Sequence, residues 1–269
     1  PMRTLLCLGF IAGLAACGGG GGLSSGGPLS RHFDDGFIGG VDMNQKAEMQ
    51  LAFNEYSAAK FERAKVQSDV NAADLQLQLA KNEVKGAKLK EDSARAEKKS
   101  AEQSADQNRV NEAMRQMRAA EKFRKAGEMR VKYLERYRDY MRIELVAHDD
   151  QVFWKEARYE LAKAKLAKAN NIAPKGFMYD DYARQEGERG KRANQTRDKA
   201  AREKQRALDA RTQWLQIQGE ADTMIGVKNQ LPDPMAPKPV TGTDMTKGAG
   251  GITIGNGAGS GSSGTTTPQ

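Results

Sequence analysis

Between about Asp42 and Gln230 the chain carries few helix breakers, and its apolar residues recur at alternating intervals of three and four. That spacing gathers them on one stripe of an α-helix. Ala59, Val66, Ala73, Ala80, Ala87, Ala94 and Ala101 fall every seven residues, with Val70, Leu77 and Val84 at the complementary position. This is a coiled-coil seam rich in alanine. Small seam residues let backbones approach closely but bury little area, so each heptad contributes less than a leucine heptad would. Further on, Glu91 and Lys98 take the complementary position, and this distal stretch is expected to be the least stable part of the helix.

A second register begins at Ala113 and runs through Met117, Ala120, Gly127, Val131, Leu134, Met141, Leu145, Val152, Tyr159, Ala162, Leu166 and Ala169, with Arg124, Arg138, His148 and Lys155 at the remaining seam positions. Its phase differs from the first. The change falls at Ser104-Ala105-Asp106-Gln107-Asn108, a cluster of turn-prone residues. The chain either reverses there into a helical hairpin, the preferred reading, or continues as one helix with a stutter in its supercoil. A firmer break is Asn170-Asn171-Ile172-Ala173-Pro174-Lys175-Gly176, after which Asp180 or Asp181 is placed to cap a third helix. That helix carries Ala193, Thr196, Ala200, Ala207, Ala210, Trp214, Ile217, Ala221 and Met224 in the same alternation. Segments of about 60, 60 and 47 residues would measure roughly 90, 90 and 70 Å. The predicted fold is all-α: an elongated coiled-coil helical hairpin or three-helix bundle spanning residues 41–230.

The flanks break this pattern. Residues 17–40 are Gly/Ser-rich, with five consecutive glycines at 18–22, and read as a disordered tether; His32-Phe33-Asp34-Asp35 and Phe37-Ile38 could at most make a local contact. Residues 231–269 start with Pro232, Pro234, Pro237 and Pro239 and pass into a Gly/Ser/Thr tract, a tail expected to be disordered. No Gly-Lys-Ser/Thr closes the glycine run, so it is not a phosphate loop.

Composition narrows the function. Of 269 residues, 38% are hydrophobic, 6% aromatic and 29% charged, too little core material for a compact globular enzyme. Lys and Arg number 43 against 35 Asp and Glu, a net charge of +8. Such a surplus favours anionic lipid or cell-wall polymers without identifying one. The basic run Arg184–Arg206 is interleaved with Glu186, Glu188, Asp198 and Glu203, which describes a solvated helix face and not a nucleic-acid stripe. Two cysteines and two histidines are too few for a four-coordinate Cys/His zinc site. His32 and His148 stand beside acidic residues but lack other converging ligands. No nucleophilic triad or dyad is evident. The expectation is a protein that is not an enzyme, with no catalytic residue, metal, cofactor or small-molecule substrate.

Aromatic residues concentrate in one region. Tyr133, Tyr137 and Tyr140 lie at i, i+4 and i+7 among Arg130, Arg136, Arg138 and Arg142, and Phe153, Trp154, Tyr159, Phe177, Tyr179 and Tyr182 follow. The favoured reading is a thickened packing zone near the Pro174 turn, with arginines over rings. The functional alternative is an exposed aromatic and cationic surface for a protein partner or glycan, with Tyr133, Tyr137, Tyr140 and Trp154 as its candidate partner-binding residues.

The N-terminus supplies an address. Arg3 precedes the apolar run Leu5-Leu6-Cys7-Leu8-Gly9-Phe10-Ile11-Ala12, followed by small residues up to Cys17. This is the layout of an export signal, too short to span a bilayer, which needs roughly 20 apolar residues. The segment Leu14-Ala15-Ala16-Cys17 resembles the lipobox of bacterial lipoproteins: a leucine, two small residues and the cysteine that is modified. The resemblance implies that residues 1–16 are removed, that Cys17 is diacylated on sulfur, and that its new amino group is usually acylated too. The alternative is an ordinary secretory signal cleaved near Ala16. Cys7 leaves with the signal in either case, so no intramolecular disulfide is expected. Gly18 stands where lipoproteins of the enteric inner membrane commonly carry aspartate, which favours the outer membrane. Like the small murein lipoproteins the chain joins a lipobox cysteine to alanine-containing heptads, but it is far longer and ends in Thr-Pro-Gln. Covalent attachment to peptidoglycan through a terminal lysine is therefore not carried over. The expected protein is an outer-membrane lipoprotein facing the periplasm or the cell surface, held by membrane lipid through Cys17 and acting as a spacer, scaffold or assembly partner. Its expected partners are envelope proteins or further copies of itself.

Overall fold

The computed structural model describes residues 26–237, apart from 105, 177 and 229. The signal segment, Cys17, the start of the tether and residues 238–269 lie outside the described residues. Three long helices make up the fold: α1 (Ala47–Gln103), α2 (Gln107–Ala169) and α3 (Tyr179–Ile225), preceded by two 3-10 turns at Asp35–Ile38 and Met43–Lys46. No strand occurs among the described residues, and none of the helices is long and apolar enough to cross a membrane. The fold is all-α. Its middle element is α2, which packs along α1 and along α3, while α1 and α3 scarcely touch. The arrangement is thus two successive hairpins sharing α2.

The phase change near residue 104 is a reversal. The Ser104 N–H and hydroxyl both donate to the Ala101 carbonyl, at 3.0 and 2.7 Å, closing α1. Asp106 then opens α2 by accepting from the N–H groups of Asn108 and Arg109 at 2.9 and 3.3 Å, satisfying donors that a helix start leaves unpaired. At the second turn Asn171 adopts a left-handed φ of 55° and the Ile172 N–H returns to the Ala167 carbonyl at 2.9 Å. Asp180 and Asp181 do not cap α3, as the sequence reading expected. The cap position is Met178, and both aspartates lie inside the first turn, where their charge still complements the helix N-terminus. α3 stops at Gly226, whose φ of 72° suits a residue without Cβ.

The alanine seam of α1 faces α2. Val66, Val70, Ala73, Leu77, Ala80, Ala87 and Ala101 are buried, and Val66, Val70 and Ala73 form one cluster with Met141. α3 contributes its own heptad series, Ala193, Ala200, Ala207, Trp214 and Ala221, all buried. Ion pairs mark the antiparallel registers: Lys165 with Glu48 at 3.2 Å, Arg142 with Asp74 at 3.0 Å and Lys81 with Glu135 at 3.0 Å between α1 and α2. Lys122 with Glu220 at 2.7 Å and Arg192 with Asp150 at 2.9 Å do the same between α2 and α3.

The tether expectation is corrected over residues 26–40. This segment runs along α2 and α3 as a strap, burying Leu29, Phe33 and Ile38. Phe33 and Ile38 join Ala164, Leu166, Ala167 and Tyr182 in one apolar cluster. Ordering backbone costs about 1–2 kcal/mol per residue, and two terms oppose it here. Large apolar side chains contribute about 1.5–3 kcal/mol each on burial. The strap's backbone is also paired: the Gln185 side chain accepts from the N–H groups of Ser30 and Arg31 and donates to the Arg31 carbonyl, at 3.0–3.1 Å. Chain contacts divide the protein after Leu231. In the second unit, the described residues 232–237 form a local turn in which Asp233 accepts from the N–H groups of Met235 and Ala236 at 3.2 and 3.1 Å.

Candidate functional site

The four aromatic candidates are set by the position of α2 between two neighbours. Tyr133 is wholly buried; its ring stacks on Trp214 of α3 at 5.4 Å with an interplanar angle of 8°. Tyr137 and Tyr140, one and two turns on, pack against the Val66–Val70–Met141 cluster on the α1 side and stay half-buried. Tyr133, Tyr137 and Tyr140 form a ladder with successive ring separations of 6.4 and 6.2 Å. Burial, Glu144, Tyr137 and Asp69 push the Tyr140 phenol up to about 12, and burial with Asp69 raises that of Tyr137. Both phenols stay protonated across the physiological range.

Trp154 stands four turns further along, apart from the ladder. Its indole N–H donates to Glu186 at 2.7 Å, and its edge lies so close to Gly190 that a Cβ there would meet Nε1 at 2.9 Å. Lys155 and Arg158 lie over its ring at 5.1 and 5.8 Å. The four residues therefore do not make one surface. Tyr133 is removed as a partner contact by its burial, while Tyr137, Tyr140 and Trp154 keep exposed edges. Aromatic packing is not confined to this ladder: nearer the Pro174 turn Tyr182 meets Phe33 at 6.2 Å and Tyr159 meets Phe53 at 5.4 Å, beside the apolar cluster of Ala164, Leu166 and Ala167.

The other concentration of polar chemistry is the clasp that holds the strap. Glu160 is buried on α2 and accepts the Phe33 N–H at 2.6 Å and the Lys163 ammonium at 2.9 Å; Lys163 also reaches Asp35 at 2.8 Å. Burial would lower the Lys163 pKa, but the hydrogen bonds to Asp35 and Glu160 outweigh it and hold the group above its ordinary value. Higher on the strap, the Gly26 N–H and Arg192 both donate to Asp150 at 2.9 Å. Carboxylates and a lysine here are engaged with backbone and with each other, which makes a fastening and not a reacting centre. Among the described residues no group of three or more His, Cys, Asp or Glu could hold a metal ion.

Two features escaped the sequence reading. Glu91, which interrupts the alanine seam, is buried and pairs with Arg124 and, at 2.5 Å, with Arg95. The hydrogen bond from Arg124 holds its carboxyl below the ordinary value against the cost of burial. The seam breaks at Glu91 and Arg124 are thus each other's partners. The second feature is the outward face of α1, where Phe61, Leu75, Leu79 and Leu89 are exposed. Their spacings of 14, 4 and 10 residues continue a three-four repeat that was legible but lay beside the stronger alanine series.

No known family pattern matches the chain, and neither the curated proteins nor the solved structures include a significant match.

Proposed function

We propose that this protein is a lipid-anchored helical spacer or scaffold of the bacterial envelope, attached through acylated Cys17, and not an enzyme. The observation that carries the reading is Leu14-Ala15-Ala16-Cys17 closing an export signal ahead of a body built from helices of 57, 63 and 47 residues. The strap makes such an anchor mechanically useful. From Cys17 to Gly26 the chain can reach at most about 30 Å, and at Gly26 it is fastened to Asp150. From Asp150 to the start of α2 is roughly 65 Å at 1.5 Å per residue. A membrane anchor at Cys17 therefore holds the turn between α1 and α2 away from its attachment point. Two or more acyl chains give stable anchoring, at about 0.8 kcal/mol per buried methylene. Gly18 favours the outer membrane, and the partners of such a scaffold are envelope proteins or further copies of this chain.

The test is intact mass and membrane fractionation of full-length protein beside Cys17→Ser in a Gram-negative host. Acyl mass and co-fractionation with outer membrane, both lost in Cys17→Ser, are expected; two soluble, unmodified proteins would refute the reading. A second reading is an accessory binding subunit of an envelope transport, secretion or motility complex, or a contact activator of a cell-wall enzyme. It rests on the exposed edges of Tyr137, Tyr140 and Trp154. If Tyr137→Ala with Trp154→Ala leaves recovery of envelope partners unchanged, this reading falls.

A further inference from the structure

α1 is two-faced. Its alanine seam is covered by α2, whereas a second stripe, beginning at Phe61 and repeating at intervals of four and three to Ser100, faces outward along its whole length. On it Phe61, Leu75, Leu79 and Leu89 are 72, 58, 52 and 69% exposed. Lys65 is its one charged residue; the other positions hold Ala, Gly, Ser and Asn. A solvated helix face needs neither large apolar residues at heptad spacing nor the near exclusion of charge between them.

We infer that this stripe is a homodimer interface, on which α1 of a second copy of this chain packs antiparallel about a twofold axis between Leu79 and Asn82. In that orientation the pattern is self-complementary. Antiparallel pairing centred there sets Leu75 against the partner's Gly86, Leu89 against the partner's Ala72, Phe61 against the partner's Ser100 and Leu79 against the partner's Asn82. Every large residue meets a smaller one, and the whole stripe is used. A Cβ built on Gly86 would meet no atom within 4 Å, so the partner's Leu75 has room.

The flanking charges choose the same orientation. In-register parallel pairing would face Lys85 with the partner's Lys90 and Asp92 with the partner's Glu97, like against like at positions that set partner orientation. Antiparallel pairing places Asp69 against the partner's Lys90 on both halves of the dimer. Its one like-charge approach, Glu62 with the partner's Glu97, falls at the outer edge, and Glu97 is already paired with Arg109 of its own chain at 2.9 Å. With its flanks, the stripe supplies about two dozen residues per copy, within the roughly 20–30 a side of a stable interface. The inference takes up the self-association arm of the proposed function and does not depend on the acyl anchor.

Sedimentation equilibrium of the full-length protein in density-matched detergent reads the mass directly. A dimer of the 29.4 kDa chain is expected, and Leu75→Glu with Leu89→Glu should raise the dissociation constant about 100-fold or more, since a buried leucine is worth about a factor of ten or more. Helical content should not change, because both side chains are exposed in the single chain. A monomer at every attainable concentration, or a dimer indifferent to the two substitutions, would overturn the proposal. Orientation is read in a Cys7→Ser, Cys17→Ser background, which also removes the anchor. Chains carrying Ala72→Cys and Leu89→Cys should form a disulfide only when mixed. Cross-linking of Leu79→Cys chains to themselves with none in that mixture would indicate parallel pairing and overturn the assignment.

Discussion

The two ends of the helical unit use one repeat and are held with unequal force. In the middle and strap-bearing part, α2 lies between neighbours on two sides and buries Tyr133, Leu134 and Met141, with Trp214 set against it from α3. At the other end α3 stops at Ile225, beside Ala119 and Ala120, and the first turns of α2 pair with α1 through Ala87, Ala101 and Ala113 and the Glu91–Arg124 pair. A heptad fixes which residues face a partner. The size of those residues fixes what the contact is worth, since stabilisation follows apolar area removed from water. A long hairpin can therefore be firm where it is strapped and yielding at its tip without any change in the pattern of its sequence.

The sharpest way to break this comparison is to remove the largest side chain of the firm region. Trp214→Ala should cost about 3–5 kcal/mol in denaturant unfolding, whereas Ala113→Gly at the distal seam should cost about 1–2 kcal/mol, the helix-propensity difference and one small buried methyl. Equal losses would erase the distinction. Gly190→Ala comes next: its methyl would press on the Trp154 indole, 2.9 Å away, and overpacking of this kind costs about 1–3 kcal/mol. Gly219→Ala, where the added methyl meets nothing, should instead raise stability by about 0.5–1 kcal/mol, so the two glycine variants shift the thermal midpoint in opposite directions. The smallest global effect is local and pH-dependent. A carboxyl held below its ordinary value stabilises the fold above that value and loses the contribution as pH falls through the lowered one. With Glu91 in that position, acidification below the usual carboxylate range should loosen residues 84–125 before the strapped region, and Glu91→Gln should flatten that response.

Much of the fold was legible, and the reasons are specific. Three helices and two turns followed from the heptads of Ala59–Ala101, the phase change at Ser104–Asn108 and Pro174, because these signals are local. The strap was not legible. Leu29, Phe33 and Ile38 have no common period, and the groups that receive the strap's backbone, Gln185 for Ser30 and Arg31 and Glu160 for Phe33, lie 127–155 residues away. The burial of Tyr133 agrees with the favoured packing reading and removes it from the alternative surface; with α2 covered on two sides, spacing along one helix does not say which ring of the three is free. Glu91 and Arg124 each looked like a defect when read within one helix; only the antiparallel register joins them. The exposed stripe of α1 was written in the same spacing as the buried one, and periodicity alone does not rank two stripes on a single helix.

The most direct measurement is native-state hydrogen exchange, residue by residue, on the full-length protein. Amides of α2 from 130 to 166 and of α3 from 190 to 214 should exchange slowest, at rates set by global unfolding, with those of 84–125 opening at least about tenfold more often, a difference of about 1.4 kcal/mol. Uniform protection along α1 and α2, or slowest exchange at the tip, would contradict the account.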